Sequence, residues 1–282
     1  YRGGQVHLAG RLHLDIHNTV MYGDYGVDGV LEMARVTSLP IQTAARVSPG
    51  TGISAMQIVK ALENEILVPL TKEQVEDPKT ASELFEDDRG GTVYDPIIGL
   101  HEDVAEVDFF SMYPSLMVQF NISPETAGKF KPTAELAQEL ERMGKPDELG
   151  LIPQTLAPLL EKRFHLKSLL LTLSKYDCRY KNYKAQAAAH KWLLVTCFGY
   201  LGYKNARFGK IEAHEAVTAY GREAALRAKE AAEDMGFRVL HLYVDGMWVY
   251  KAGCRQVADF QPLLHEIKSR TSLTIALDGE YK

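Results

Sequence analysis

Long apolar runs are missing from this chain. Nowhere in its 282 residues does one approach the roughly 20 needed to span a bilayer, so no membrane partner is expected. Cysteine is scarce: Cys178, Cys197 and Cys254 are odd in number and far apart. That suggests buried thiols in a reducing cytosol rather than disulfides or a zinc site. The opening Tyr1-Arg2-Gly3-Gly4 lacks the apolar core of a secretory signal. There is no internal repeat and no low-complexity tract. Neither a Gly-x-x-x-x-Gly-Lys-Ser/Thr loop nor a Gly-x-Gly-x-x-Gly after a strand is present. A bound triphosphate would therefore be held by metal and side-chain cations, not by a glycine cradle.

What is present is an uneven charge distribution. Between Lys162 and Lys210 eleven Lys/Arg stand against the single Asp177, a balance of +10, so the remainder carries −15 within the net −5. A focused basic surface on an acidic body binds polyanions locally while limiting adsorption elsewhere. The competing reading is a solvated helix face.

The pattern along the chain is mixed. Residues 5–22 read as strands, with Leu12, Leu14 and Ile16 on one face and His13, Asp15 and His17 on the other. That polar trio is more often a solvated strand face than a metal site. Residues 27–39 and 53–65 carry helical periodicity, and 71–92 reads as a polar linker or surface loop. Residues 131–150 are acidic with helical character. Pro153 to about Phe198 reads as two helices with a bend near Asp177–Asn182, and a further helix spans Glu212 to Met235. Phe237–Val244 and Met247–Lys251 form a hairpin around Asp245-Gly246. A helix over 256–269 and a strand over 272–277 follow.

Three segments carry chemistry. Asp108 leaves a short strand and Asp245 sits at the hairpin turn. Phosphoryl transfer needs charge neutralisation and in-line positioning, which two Mg²⁺ ions bridged by two carboxylates supply. Either Asp alone is most often structural; the pair gains weight because one sheet can bring both strand ends together. Arg163 and Lys167 share a helix face, as do Lys184 and Lys191 on the next helix, so an antiparallel pair can aim cations at one polyphosphate. For Lys184 an exposed basic face is the strong competitor. Tyr113, fixed by Pro114, can floor a sugar and clash with a 2′-hydroxyl. The N–H groups of Ser111 and Met112 can form an anion nest. In Phe198-Gly199-Tyr200-Leu201-Gly202-Tyr203, aromatics interleaved with glycine suit base stacking, and a helix-to-strand junction packed in the core is an equal contender.

Asp108-Phe109-Phe110-Ser111-Met112-Tyr113-Pro114-Ser115-Leu116-Met117 resembles motif A of the family B DNA polymerases, D-x-x-S-L-Y-P-S-I-I. Lys191 to Gly199 resembles motif B, K-x-x-x-N-S-x-Y-G, and Val239 to Val249 resembles motif C, built around D-T-D-S. Arg89-Gly90-Gly91 is similar to the Y-x-G-G template loop. Gly10 to Asp15 resembles a stretch inside that family's exonuclease domain. Motif order and spacing agree from about residue 10 onward.

The resemblance implies an α+β fold: an antiparallel palm sheet with flanking helices, a protruding two-helix fingers domain and an N-terminal remnant of an exonuclease-like domain. It divides the chain into 1–70 (partial exonuclease-like), 71–150 (linker and first half of the palm), 151–198 (fingers) and 199–282 (second half of the palm). It implies template-directed DNA synthesis, with Asp108 and Asp245 as catalytic metal-binding residues and Phe109 lending a backbone carbonyl. Ser111, Met112, Tyr113, Arg163, Lys167, Lys191 and Val195 become nucleotide-binding; Gly90, Gly91, Phe198 and Gly199 become DNA-binding. The implied ions are two Mg²⁺, with Mn²⁺ as the alternative. The implied partners are primer-template DNA, a dNTP and a separate thumb-bearing or accessory subunit, in a prokaryotic cytoplasm at the nucleoid.

The departures are specific. Counting back from Val249 aligns Asp245 with the second motif C acid and puts Tyr243 in place of the first. Counting from Tyr243 as the leading Tyr instead loses the second acid to Met247. The former count is preferred because it keeps the strand alternation and a two-carboxylate site. Val195 replaces the motif B Asn, Thr196 the Ser and Phe198 the Tyr. These changes resemble a divergent archaeal branch sometimes regarded as inactivated. They keep a catalytically silent, DNA-binding or replisome scaffold as the rival reading. The front of the exonuclease domain with its D-x-E motif and the thumb are both absent from the sequence. No proofreading and a weak grip on duplex are therefore expected.

Overall fold

The computed structural model describes residues 10–70, 78–87, 89–126 and 149–282. The expected helical stretch at 131–150 lies outside these residues except for its last two.

Helices α1 (Tyr22–Thr37), α2 (Ile41–Arg46), α3 (Pro49–Glu63) and α4 (Ala81–Asp87) precede the sheet strands β1 (Val93–Tyr94) and β2 (Val104–Phe109). Then come α5 (Met112–Gln119) and the long antiparallel pair α6 (Leu151–Thr172) and α7 (Cys178–Leu201). Helix α8 (Ile211–Asp234), hairpin β3 (Arg238–Tyr243) and β4 (Gly246–Tyr250), α9 (Val257–Thr271) and β5 (Ile275–Tyr281) complete the order.

All pairings are antiparallel and the strand order is β1-β3-β4-β2-β5. The chemistry of the two faces follows from the period-2 alternation of strands. Ala105, Val107 and Phe109 of β2, Leu242 of β3, and Met247 and Val249 of β4 are buried. They join Phe260, Leu263 and Ile267 of α9 and the alanine-rich face of α8 in one core. Ala213, Ala216, Ala224, Ala228 and Ala231 keep that face short. Glu106, Asp108 and Trp248 alternate onto the opposite, open face.

Helix α6 begins where side chains before it take up its free N–H groups. Gly150 N–H donates to Asn121 Oδ1 at 2.7 Å, Leu151 N–H to Glu125 Oε1 at 2.5 Å and Ile152 N–H to Ser123 Oγ at 3.1 Å. Three orphan donors are thereby satisfied at one end. Asp177 caps α7 by accepting from Arg179 N–H at 2.9 Å.

The antiparallel α+β architecture matches the sequence reading; several local expectations do not hold. The break between α6 and α7 falls at residues 173–177, and the expected bend at Asp177–Asn182 is the capped first turn of α7. Of the expected strands at 5–22, residues 5–9 lie outside the described residues, and residues 10–21 form turns and irregular chain, not strands. Asp15 Oδ1 accepts from His17 N–H at 3.0 Å and the Asp15 carbonyl from Thr19 Oγ1 at 2.6 Å, which competes with strand pairing. The same bonds commit Asp15 to its own turn. Within the expected 71–92 loop lies α4, started by a capping box. Thr80 N–H donates to Glu83 Oε2 at 2.7 Å and Glu83 N–H to Thr80 Oγ1 at 3.3 Å. The hairpin turn is shifted by one residue: Tyr243 pairs with Gly246, so Val244-Asp245 are its central residues. The last strand begins three residues later than read and runs on to Tyr281.

Candidate active site

Asp108 and Asp245 meet on the open face. Asp108 faces Gly246 across the β2–β4 ladder, and Phe109 N–H donates to the Asp245 carbonyl at 3.0 Å. The end of β2 is thus tied to the hairpin turn. Val244 sits in that turn at φ 56°, a conformation strained for a β-branched residue. Its amide donates to the Thr92 carbonyl at 2.9 Å, anchoring the turn to the chain that follows Gly90 and Gly91. A side chain at Gly91 would lie 2.8 Å from Val244 Cγ2, so only glycine lets the two segments touch. Arg222 of α8 donates to the Gly90 carbonyl at 2.8 Å.

The electrostatics are those of a crowded acidic pair. Burial, then the charges of Asp245, Asp278 and Glu106, push the Asp108 carboxyl up to about 7, while Lys167 pulls it back. Burial also raises Asp245, opposed by its own backbone N–H and by Lys191. Each carboxylate is therefore close enough to one sequence-singled cation to feel it. Asp278 escaped sequence reading. Leu277 pairs with Val107 and Gly279 with Glu106, so Asp278 is the unpaired residue of a bulge in β5. A bulge re-aims a side chain that plain alternation would misplace.

Among the described residues, no three His, Cys, Asp or Glu side chains form a ready metal cage. Two adjacent carboxylates that resist ionisation still fit Mg²⁺, which binds through one or two carboxylates plus waters and substrate phosphates.

The cations arrive on α6 and α7. The Arg163 guanidinium is half-buried between them; Nη1 donates to the Ala187 carbonyl at 2.6 Å. Its Nε is buried without a hydrogen-bond partner among the described residues, and burial lowers its pKa. Arg163 lies 5.6 Å and Lys167 5.4 Å from the centre of the Phe110 ring. Phe110, which the sequence reading did not single out, is fixed edge-on to Phe164 at 5.7 Å and through its N–H to the Thr274 carbonyl at 2.8 Å.

Ser111 adopts the left-handed conformation at φ 48° immediately before α5, and the Met112 side chain is buried. The Tyr113 ring packs on Phe198 at 4.5 Å, and Phe198 stacks on His214 at 4.1 Å and 18°. Phe198 is thus sandwiched near the end of α7, which continues to Leu201. Tyr203 beyond it is 45% exposed, and the run leads into helix α8, not into the strand that the junction reading expected. Gly199 is exposed, with open space where a side chain would be. Val195 is 53% exposed and Tyr243 57%.

Residues 48–250 match the family model described as DNA polymerase family B. The chain belongs to that family.

DNA polymerase 2 of Saccharolobus solfataricus is 36% identical over 221 residues, 78% of this chain and 33% of the relative. A DNA polymerase of Archaeoglobus fulgidus is 30% identical over 280 residues, 99% of this chain and 34% of the relative. The solved family B DNA polymerase of Pyrobaculum calidifontis superposes with TM-score 0.63 at 25% identity, covering 90% of this chain and 32% of that one. The chain therefore spans about a third of the length of these relatives. No helix among the described residues is long and apolar enough to cross a membrane.

Proposed function

We propose that this family B chain carries the nucleotide and metal site of a DNA-directed DNA polymerase. A primer 3′-oxygen attacks the α-phosphate of a dNTP in line, and pyrophosphate leaves. The observation that carries this reading is the juxtaposition of Asp108 and Asp245, each sensing a cation from the fingers pair.

In this reading Asp108, Asp245 and the Phe109 carbonyl hold two Mg²⁺ ions, or Mn²⁺ in their place. The ions supply charge neutralisation and acidify the attacking hydroxyl. Lys167, Lys191 and Arg163, whose Nε awaits an acceptor, grip the triphosphate. Ser111 and Met112 offer backbone N–H groups, Tyr113 bars a 2′-hydroxyl, and Val195 lies along the nucleotide. Gly90, Gly91, Phe198 and Gly199 border the primer-template. The division at residues 70, 150 and 198 belongs to the same reading, as do a thumb-bearing or accessory subunit and a place at the nucleoid.

A second reading, a DNA-binding or replisome scaffold without catalysis, is favoured by Tyr243. It stands where motif C has its first acid and is 57% exposed beside the turn. Primer extension with Mg²⁺ or Mn²⁺ separates the two. Extension that Asp108→Ala reduces at least about 10²-fold supports the enzyme, a loss in the range for removing one electrostatic group. Primer-template binding without extension supports the scaffold.

A further inference from the structure

One buried acid outside the active site touches both cation-bearing helices. Glu32 of α1 is 3% exposed. Its Oε1 accepts from His190 Nε2 at 2.7 Å and from Lys162 Nζ at 2.5 Å. Its Oε2 pairs with Arg35, one turn along the same helix. His190 is fully buried and its Nδ1 lies 3.3 Å from the Leu159 carbonyl, so it also joins α7 to α6.

The residues that Glu32 grips are not arbitrary. Lys162 immediately precedes Arg163, and His190 immediately precedes Lys191. Successive helical residues are rotated by about 100°, so pinning one of them against α1 fixes the direction of the next. A single carboxylate oxygen therefore touches both α6 and α7, in each case at the residue next to a cation of the nucleotide site. Lys167, five positions beyond Lys162, lies on the same helix.

We infer that Glu32 is a positioning residue for the nucleotide site: it orients Arg163 and Lys167 through Lys162, and Lys191 through His190. Glu32 lies outside residues 48–250, the part matching the family model. The N-terminal helix is thereby an integral part of the triphosphate grip. The inference rests on the nucleotide-binding reading above.

The test is equilibrium binding of dATP with Mg²⁺ to the full chain, alongside thermal melting. Glu32→Leu removes both grips and is expected to weaken dATP binding at least ten-fold. Glu32→Gln keeps a carbonyl oxygen where Oε1 now accepts both donors, and is expected to bind within two-fold of the parent even where its melting temperature falls. Lys162→Met loosens α6 alone, from a side chain that is 36% exposed, and is expected to weaken binding at least five-fold. It decides the matter if Glu32→Leu does not fold. Because it also deletes a charge, the parent-to-variant ratio is compared again at about 0.5 M salt, where screening removes long-range charge effects. A ratio that persists supports aim-setting. Folded Lys162→Met and Glu32→Leu that bind dATP within two-fold of the parent, or a ratio that vanishes in salt, overturn the inference alone. A parent chain that binds no dATP removes the nucleotide-binding reading and the inference together.

Discussion

Phe109 donates its backbone N–H to the carbonyl of Asp245 at 3.0 Å, across 136 residues of chain. That single bond locks the end of β2 to the hairpin turn. It puts the carboxylate preceding Phe109 beside the carboxylate of the turn. The pair is formed by backbone pairing, so its approach does not depend on side-chain choice elsewhere on the open face.

The acidity of Asp108 makes a stability prediction. Its folded value of about 7 lies above the ordinary 3.8, so the folded state holds this proton more tightly than the unfolded one. Stability falls as pH rises from about 4 through about 7. Asp108→Asn removes that slope. At pH 8 the variant is expected to be more stable by on the order of 1 kcal/mol after allowance for solvent screening, about 2–4 °C in melting temperature. Mg²⁺ is expected to raise the melting temperature of the parent at pH 8 and not that of the variant. Equal melting temperatures for the two proteins at pH 8 would contradict the crowding of Asp108.

Gly91 should not tolerate a methyl group. Its added Cβ would meet Val244 at 2.8 and 2.9 Å, and Val244 is already held at φ 56°. Gly91→Ala is expected to cost about 1–3 kcal/mol. It should also blunt the Mg²⁺-dependent rise in melting temperature, because the turn that carries Asp245 must move. Denaturant unfolding with and without Mg²⁺ measures both; a neutral substitution would mean that the two segments do not touch.

The Tyr113 ring is backed by glycine. A side chain at Gly221 of α8 would lie 2.9 Å from Tyr113 Cε1, while Phe198 blocks retreat on its other side. Gly221→Ala is expected to displace the ring and raise ribonucleotide incorporation several-fold. Tyr113→Ala should raise it further. Competition between ATP and dATP in primer extension gives the ratio, and an unchanged ratio in both variants removes Tyr113 from sugar selection.

Glu32 should show the opposite pH dependence to Asp108. Burial disfavours its charge, but His190, Lys162 and Arg35 outweigh burial and hold the carboxyl down at about 2, against an ordinary 4.5. Its stabilisation is fully present above about 4.5 and lost as pH falls through about 2. Glu32→Gln is expected to cost on the order of 2 kcal/mol at pH 7, with the difference from the parent shrinking between pH 4.5 and 2. Urea unfolding across that range reports it; a constant difference would mean that Glu32 is not charged against these partners.

Much of this arrangement was legible in the residues. The short strand leading to Asp108 and the Asp245-Gly246 turn signal located β2 and, to within a residue, the hairpin, and helical periodicity located α6 to α8 within a few residues. Local competition hid the rest. The Asp15 turn displaced an alternating pattern, and the Thr80-x-x-Glu83 box started a helix inside a polar stretch. Asp278 was hidden because a bulge breaks the two-residue period that would have assigned its face. Phe110 and Glu32 were hidden for another reason: an aromatic in motif A and a single acid on a helix are ordinary until their partners are known.

The order and spacing of the acids, cations and aromatics were set by the sequence alone, because the periods of strand and helix assign each residue a face. Which faces meet was settled only in three dimensions. Backbone pairing across the sheet joined Asp108 to Asp245, and the burial of Glu32 gathered Lys162, Arg35 and His190. Arg35 is a local partner three residues along the same helix. Lys162 and His190, like Asp245, come from segments more than a hundred residues away, where no local pattern carries information about the partner.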